Sequence, residues 1–153
     1  MKIYNIKEKQ EYIEEVARLE KIEWAEYKTE EELNKKINET IKKIKDNLDN
    51  LNYCKLILLD ENCLVGFISI FPTDGDEYRE LTPWYATMYV KREYRGLGYS
   101  KLLNDAILEE ARKRGFKKIY LKSELKGYYE KFGAKYMADL KNGEKLYYIN
   151  LED

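Results

Sequence analysis

The 153-residue sequence contains no histidine, and this absence excludes several kinds of active site. A catalytic triad that relays a proton through imidazole is impossible, and so is a zinc site built on histidine ligands. Any proton transfer must therefore use a carboxylate, a tyrosine, a lysine, a cysteine, a chain terminus or water.

Cysteine is scarce as well, with only Cys54 and Cys63 in the chain. A hairpin turn at residues 60–63 would place Cys63 opposite Asp60 and leave Cys54 far along the ladder, too distant for a disulfide. We expect both thiols to be small buried groups in a reducing compartment.

Long apolar runs are also missing. No stretch approaches the roughly 18 residues that suggest a membrane span, and the amino-terminal segment lacks the apolar core of a secretory signal. The 28 basic and 29 acidic side chains leave a net charge of −1, which gives no general attraction to nucleic acid or to an anionic membrane. We therefore expect a cytoplasmic protein that binds neither.

Apolar periodicity predicts one mixed α/β domain over residues 1–153, with the element order β-αα-βββ-α-β-α-ββ. No linker or repeat divides the chain. The strand–helix–strand segment at residues 83–121 should make its two strands parallel. The predicted strands are residues 1–6, 53–59, 63–71, 83–90, 117–121, 135–140 and 145–151, and the predicted helices are residues 7–27, 30–48, 99–114 and 126–132.

Local signals support these elements. Thr29 and Glu32 match a capping box at the start of the second helix, and Asn142-Gly143 predicts a type I′ turn between the last two strands. The lysines of the second helix lie mostly off its apolar stripe, which fits a solvated face better than a nucleic-acid patch. The apolar stripes of the first two helices are Tyr12, Val16, Leu19 and Ile22, and Leu33, Ile37, Ile41, Ile44 and Leu48.

The most informative segment is a glycine-containing turn, residues 95–100, between a predicted strand and a predicted helix. Such a turn directs backbone N–H groups outward at the positive end of a helix dipole, where a phosphate can bind. Arg95 and Lys101 would add positive charge. The Gly-Lys-Ser/Thr of a Walker loop is absent, and Lys101 stands where a dinucleotide fingerprint has its third glycine. A purely structural turn remains an alternative.

Around this turn the chain resembles the GNAT family of N-acetyltransferases. Residues 95–100, RGLGYS, are similar to its R/Q-x-x-G-x-G/A signature. The resemblance extends back through residues 81–90 and forward through residues 115–121 to residues 128–134, YYEKFGA, which are similar to the family's F-Y-E-K-x-G-F. Ser100 replaces the last glycine or alanine, and Ala134 replaces the usual aromatic residue. Serine is small and can donate hydrogen bonds, so the implied phosphate site is retained.

The resemblance implies acetyl-CoA as the co-substrate and no metal. In that family the strand before the signature pairs with the pantetheine arm through its backbone, a role that falls on Met88, Tyr89 and Val90. A plain core strand would use the same residues. The backbone of the turn would surround the pyrophosphate. The implied residues there are Arg95, Gly96, Leu97, Gly98, Tyr99, Ser100 and Lys101.

The implied reaction is attack by a primary amine on the thioester carbonyl, after which the CoA thiolate must gain a proton. A tyrosine, with an ordinary pKa of about 10, is a suitable acid for that leaving group. The family's Y-E-K-x-G spacing implies Tyr129, or Tyr128 if the register slips by one residue. Some members of that family carry a glutamate on the strand after the signature helix, and the matching place here is near Lys122, which cannot accept a proton when charged. Glu80, Glu124 and water remain alternatives.

The acceptor is the least determined part. Trp84, Trp24 and Glu80 are candidates for binding it, although a core role for either tryptophan and a solvated loop at residues 74–80 explain the sequence as well. We expect the amine of a small molecule or a peptide. A non-catalytic acyl-CoA-binding regulatory module is the competing hypothesis, and a homodimer through the carboxy-terminal hairpin stays open.

Overall fold

Seven strands form one mixed sheet in the order β1-β2-β3-β4-β5-β7-β6 in the computed structural model, which describes residues 1–152. Only β4 and β5 pair in parallel. The predicted element order is confirmed, with a short 3-10 helix, Tyr129–Phe132, as the last helical element. The strands are β1 (Lys2–Asn5), β2 (Cys54–Asp60), β3 (Cys63–Phe71), β4 (Trp84–Val90), β5 (Lys118–Ser123), β6 (Ala134–Asp139) and β7 (Lys145–Asn150), and the helices are α1 (Ile13–Trp24), α2 (Glu30–Asp46) and α3 (Tyr99–Lys113).

Two apolar cores cover the two faces of the sheet. Successive residues of β2 point to opposite faces, so Leu58 packs in the core that includes α3, whereas Ile57 packs in the core that includes α1 and α2. Burial on both faces explains why β2 and β3 are almost continuously apolar. Over residues 1–152 no helix combines the length and apolar character needed to cross a membrane.

Helix α2 begins as predicted. The hydroxyl of Thr29 accepts a hydrogen bond from the backbone N–H of Glu32 at 3.1 Å. The Glu32 carboxylate accepts from the N–H of Lys28 at 3.0 Å, so the reciprocal bond reaches one residue before the cap. Leu33 and Ile37 of the predicted stripe are buried.

The first helix is shorter than predicted. Residues 6–12 form two 3-10 turns, Ile6–Glu8 and Gln10–Tyr12, because Lys9 between them has a non-helical φ of −137°. The buried face of α1 is also displaced from the predicted stripe, and it includes Glu20 while Ile22 is 49% exposed. A buried glutamate cannot be recognised from apolar periodicity.

Two further predictions are wrong. Cys63 is opposite Asp60 as expected, but it is exposed rather than buried. The β6–β7 turn is not type I′, because Gly143 has a positive φ of 93° and Asn142 does not. The N–H of Leu140 donates to the Glu144 carbonyl at 2.8 Å, which leaves a three-residue loop. Loops of that length take a type I turn followed by a left-handed glycine.

Candidate active site

Strands β4 and β5 meet at one end and separate at the other. Trp84 is opposite Tyr120, and the Tyr120 N–H donates to the Pro83 carbonyl at 3.0 Å. Within the described chain no residue of β5 is in register with residues 87–90, although β3 pairs with the opposite edge of β4 as far as Val90. A cleft therefore opens along the carboxyl half of β4, where backbone groups are available to a ligand.

A β-bulge shapes the middle of β4. Phe67 is opposite Tyr89 whereas Ser69 is opposite Ala86, so two β4 residues share the space of one β3 residue. The first of the two, Thr87, has a φ of 49°, a conformation that costs a β-branched residue about 1–3 kcal/mol. Bulges re-aim side chains and are frequent beside active sites.

The glycine turn connects the end of β4 to α3. Gly96 and Gly98 have φ values of 79° and 87°, which side chains disfavour. Gly98 is the N-cap of α3 and provides no side-chain cap, so the N–H groups of the first helical turn are left for an anion. Arg95 folds back, and its Nε donates to the Val90 carbonyl at 2.8 Å, which ties the turn to the strand.

A cavity of about 360 Å³ lies between this turn and β4. Ten residues were predicted to bind the cofactor, and all except Leu97 and Lys101 line this cavity. Leu97 is 63% exposed. Lys101 pairs with Asp105 at 2.7 Å on an exposed face of α3. The lining residues are Glu23, Met88, Tyr89, Val90, Tyr94, Arg95, Gly96, Gly98, Tyr99 and Ser100.

A second cavity, of about 620 Å³, adjoins the first at Met88, which lines both. Its walls come from α1, the β3–β4 loop, β4, β5, the last 3-10 helix and the β6–β7 turn. It is therefore assembled from segments that are distant in sequence. The lining residues are Trp24, Asp74, Tyr85, Ala86, Thr87, Met88, Leu121, Lys122, Tyr129 and Glu144.

Tyr129 lies in the second cavity, in edge contact with two other tyrosines. Its ring centroid is 5.8 Å from that of Tyr85 and 4.8 Å from that of Tyr128. Burial, with a smaller contribution from Tyr128, raises the pKa of Tyr129 above its ordinary value. The phenol therefore keeps its proton at neutral pH and is equipped to act as an acid. Tyr128 is not among the residues that line this cavity.

Of the three residues predicted to bind the acceptor, only Trp24 reaches the cleft, where it is 48% exposed. Trp84 is 1% exposed, and its indole N–H donates to the Leu81 carbonyl at 2.8 Å, so its place is in the packing beside the cleft. Glu80 is exposed and lines neither cavity, and neither does Glu124.

Lys122 on β5 is paired with an acid from another segment. Its Nζ lies 3.6 Å from Asp74 Oδ1 and donates to the Asp74 carbonyl at 3.1 Å. Burial raises the pKa of the Asp74 carboxyl, although the Lys122 charge acts in the opposite direction. Glu144 adds a second carboxylate to the same wall. No residue spacing points to Glu144 or Thr87, because both reach the cleft through tertiary structure.

Among residues 1–152 there is no group of three histidine, cysteine or acidic side chains placed to hold a metal ion. The cleft instead offers backbone groups at one end and a tyrosine, two carboxylates and a lysine at the other. Such a site suits a long anionic cofactor that presents a reactive group to a polar acceptor.

Comparisons with known proteins agree with this geometry. The model of the acetyltransferase (GNAT) family matches residues 13–134. No curated protein matches the sequence. Among the solved structures with the same fold is an aminoglycoside 6'-N-acetyltransferase complexed with coenzyme A, with 16% identity and a TM-score of 0.73 over 100% of this chain and 98% of that one. Another is the PaiA N-acetyltransferase from Thermoplasma acidophilum in complex with coenzyme A, with 22% identity and a TM-score of 0.65 over 98% of this chain and 99% of that one. A third is a spermidine N-acetyltransferase from Vibrio cholerae, with 16% identity and a TM-score of 0.70 over 99% of this chain and 95% of that one.

At these identities the structures support the fold, while the family model matches most of the chain and covers the β4–α3 segment. The expected membership of the GNAT family is therefore confirmed. The chain belongs to the acetyltransferase (GNAT) family.

Proposed function

We propose that this protein transfers an acetyl group from acetyl-CoA to a primary amine of a small molecule. The observation that carries the proposal is the cleft between β4 and β5, with the glycine turn at one end and Tyr129 at the other. Two solved structures of the same fold hold coenzyme A. Structures of this fold include an aminoglycoside 6'-N-acetyltransferase and a spermidine N-acetyltransferase, and the substrates in both names are amines.

The cofactor half of the cleft fits coenzyme A in one direction. Its pyrophosphate would bind the N–H groups at the start of α3, where the helix dipole favours negative charge. The pantetheine arm would then run along the open edge of residues 88–90 and pair with the backbone as an added strand does. In this orientation the thioester would lie near Thr87, which lines the same cavity as Tyr129.

The acceptor half fits a cationic amine. Asp74 and Glu144 contribute two carboxylates and Lys122 one ammonium, so the wall has an excess of negative charge. An amine drawn there as its cation must lose a proton before it attacks. Asp74 has the raised pKa that favours proton acceptance, and we propose it as the base.

Tyr129 is proposed as the acid. As the nitrogen attacks the thioester carbonyl and the carbon–sulphur bond breaks, the phenol donates its proton to the departing thiolate. The amine cation gives one proton to Asp74, which passes it to solvent. The nitrogen loses a second proton as the amide forms, and this proton replaces the one that Tyr129 gave to sulphur. The products are therefore the acetylated amine, free CoA and one released proton.

The test is release of free thiol from acetyl-CoA in the presence of polyamines, aminoglycosides, amino acids and peptides with free amino termini. We expect turnover with at least one small amine, and a decrease in kcat of about 10²–10⁴-fold in Tyr129→Phe. Tyr128→Phe is the matched control, because it removes a neighbouring hydroxyl outside the cavity, and its kcat should stay within about twofold of wild type.

Two results would contradict the proposal in different ways. CoA binding without thiol release for any amine would favour the non-catalytic acyl-CoA-binding module. Full activity in Tyr129→Phe together with inactive Tyr128→Phe would move the acid by one residue and leave the transfer reaction intact.

A further inference from the structure

A row of polar side chains crosses the sheet and ends in the acceptor cleft. Lys55 on β2 lies with its Nζ 2.8 Å from Glu20 Oε1 on α1 and 2.7 Å from Ser69 Oγ on β3. Ser69 Oγ lies 2.6 Å from Thr87 Oγ1 on β4. Lys55, Glu20 and Ser69 are buried, whereas Thr87 is half-buried and lines the cleft. The acid–base chemistry proposed above uses none of these residues.

The Lys55–Glu20 pair is ionised. Burial raises the Glu20 pKa, but the charge and hydrogen bond of Lys55 outweigh it, so the pKa of Glu20 is lowered overall. Burial lowers the pKa of Lys55, and the Glu20 carboxylate opposes that effect. If Lys55 were neutral, the ionised carboxylate would be buried without a counter-ion, an arrangement that proteins avoid. The 2.8 Å contact between Lys55 Nζ and Glu20 Oε1 suits an ammonium–carboxylate pair beneath the cleft, although burial lowers the pKa of Lys55 overall.

The Lys55 ammonium fixes the direction of its hydrogen bond to Ser69. An ammonium group only donates, so Ser69 Oγ accepts from Lys55. The hydrogen of the buried Ser69 hydroxyl then needs an acceptor, and Thr87 Oγ1 is its other hydrogen-bond partner in the described chain. Either hydroxyl of the Ser69–Thr87 pair can donate across the 2.6 Å contact. We infer that Ser69 is the donor, because its own hydrogen would otherwise be buried without an acceptor, and the Thr87 hydrogen is then free to point into the cleft.

The backbone supports the same placement. Thr87 is the bulged residue of β4 and holds a left-handed φ of 49°. Strained conformations of this kind persist where surrounding structure fixes them, and they cluster at ligand sites. In the cleft the Thr87 side chain shares its cavity with Met88, where the two cavities meet, and with Tyr129.

We propose that the Thr87 hydroxyl, kept as a donor by the Lys55 ammonium through Ser69, hydrogen-bonds the thioester carbonyl oxygen and stabilises the oxyanion formed on it. This inference rests on the proposed acetyl transfer. When the amine nitrogen bonds to the carbonyl carbon, the π electrons move to oxygen. When the carbon–sulphur bond breaks, they return and the thiolate leaves. The donor changes neither the atoms nor the charge of the products, and it lowers the barrier between them.

Lys55, Glu20 and Ser69 are positioning residues in this scheme, because they act only through Thr87. Without the ammonium, Ser69 is free to accept from Thr87, and the Thr87 hydrogen turns inward. Removing the Lys55 charge should therefore lower kcat only when the Thr87 hydroxyl is present. If the ion pair had a purely structural role, its removal would lower kcat equally with and without that hydroxyl.

The first part of the experiment compares Thr87→Val with Thr87→Ser. Valine has the shape of threonine and the same β-branching, which is strained at this φ, but it lacks the hydroxyl. Serine keeps the hydroxyl and lacks the β-branching. We expect kcat to fall by about 10²–10³-fold in Thr87→Val and by less than about tenfold in Thr87→Ser, with the Kd for CoA within about twofold of wild type in both. Wild-type kcat in Thr87→Val would overturn the inference.

The second part replaces the ion pair by an apolar pair, Glu20→Met with Lys55→Met, in the wild-type and Thr87→Val backgrounds. We expect kcat to fall at least about tenfold in the first background and to stay unchanged in the second. An equal loss in both backgrounds would show a structural role only and overturn the inference. If the apolar pair does not fold, Ser69→Ala replaces it in the same two backgrounds with the same expected pattern.

The proposed function is tested separately by the wild-type protein. If the wild type releases no thiol with any amine, the acetyl transfer and this inference both fall. If the wild type turns over and Thr87→Val equals it, only this inference falls.

Discussion

Gly66→Ala tests whether the position of β4 controls cofactor binding. Gly66 lies on β3 opposite Val90, and its own φ does not require glycine. A Cβ added there would lie 2.3 Å from the Tyr89 carbonyl oxygen, 3.2 Å from Val90 Cα and 3.3 Å from Leu103 Cδ1. Since real Cβ contacts are essentially never below 3.0 Å, the Tyr89 carbonyl must move by at least about 0.7 Å, the difference between 3.0 and 2.3.

This movement should have two consequences. Overpacking at a buried site costs about 1–3 kcal/mol of unfolding free energy. The displaced Tyr89 carbonyl faces β3, but it moves with the β4 backbone, whose other edge is proposed to pair with pantetheine, and a displacement near 1 Å can cost a factor of about 10². We therefore expect the KM for acetyl-CoA and the Kd for CoA to rise between about tenfold and hundredfold. Urea unfolding, calorimetric titration with CoA and steady-state kinetics measure the three quantities.

Gly143→Ala is the matched control. Gly143 has a φ of 93° in the β6–β7 turn and open space around its Cβ position, so alanine should lower stability by about 1 kcal/mol or more through strain alone. It should leave CoA binding unchanged. The reasoning fails if Gly66→Ala binds CoA with wild-type affinity, or if Gly143→Ala weakens binding by the same factor.

Two other substitutions have distinct expected results. Lys55→Met should lower the urea-derived unfolding free energy by about 3–5 kcal/mol, because it leaves the Glu20 carboxylate buried and unpaired, and adding Glu20→Met should restore most of it. Because the pKa of Glu20 is lowered in the folded state, its carboxylate stabilises the wild-type fold at pH values above the ordinary carboxyl pKa. This stabilisation is lost as the pH falls through the folded-state pKa. The double variant lacks the carboxylate, so its unfolding free energy should not show this pH dependence. Asp74→Asn should lower kcat/KM at neutral pH by at least about tenfold. As the pH is lowered, the kcat/KM of the wild type should begin to fall at a higher pH than an ordinary aspartate would give, because the raised pKa of Asp74 lets it bind a proton at that higher pH. The same acid-side decrease in Asp74→Asn would exclude Asp74 as the base.

The elements that could be predicted are those with a local cause. Helix α2 follows from the Thr29 cap and an apolar stripe of regular spacing, and β2 and β3 follow from apolar runs on either side of the turn at residues 60–63. The glycine turn at residues 95–100 was predictable because its motif lies within six consecutive residues. In each case the deciding contacts join residues that are close in sequence.

The features that could not be predicted depend on contacts between distant segments. Glu20 is buried in α1 because it pairs with Lys55, which lies 35 residues later in the chain. The prediction took only apolar residues as buried, so it assigned the wrong inner face to that helix. The acceptor cavity combines residues as far apart as Trp24 and Glu144. Strand β4 was predictable, whereas the Thr87 bulge within it was not, because a bulge is a property of the β3–β4 register.

If acetyl-CoA pairs with the open edge of β4 as proposed, its binding is coupled to the stability of the fold. The backbone groups of residues 87–90 have no partner on β5, so we expect local opening to reach this part of the β4–β5 pair readily. A ligand that completes the ladder adds RT ln(1 + [L]/Kd) to stability, about 2.7 kcal/mol at a hundredfold excess over Kd. The lifetime of the protein in a cell would then follow the local concentration of acetyl-CoA, so that abundance and activity rise and fall together.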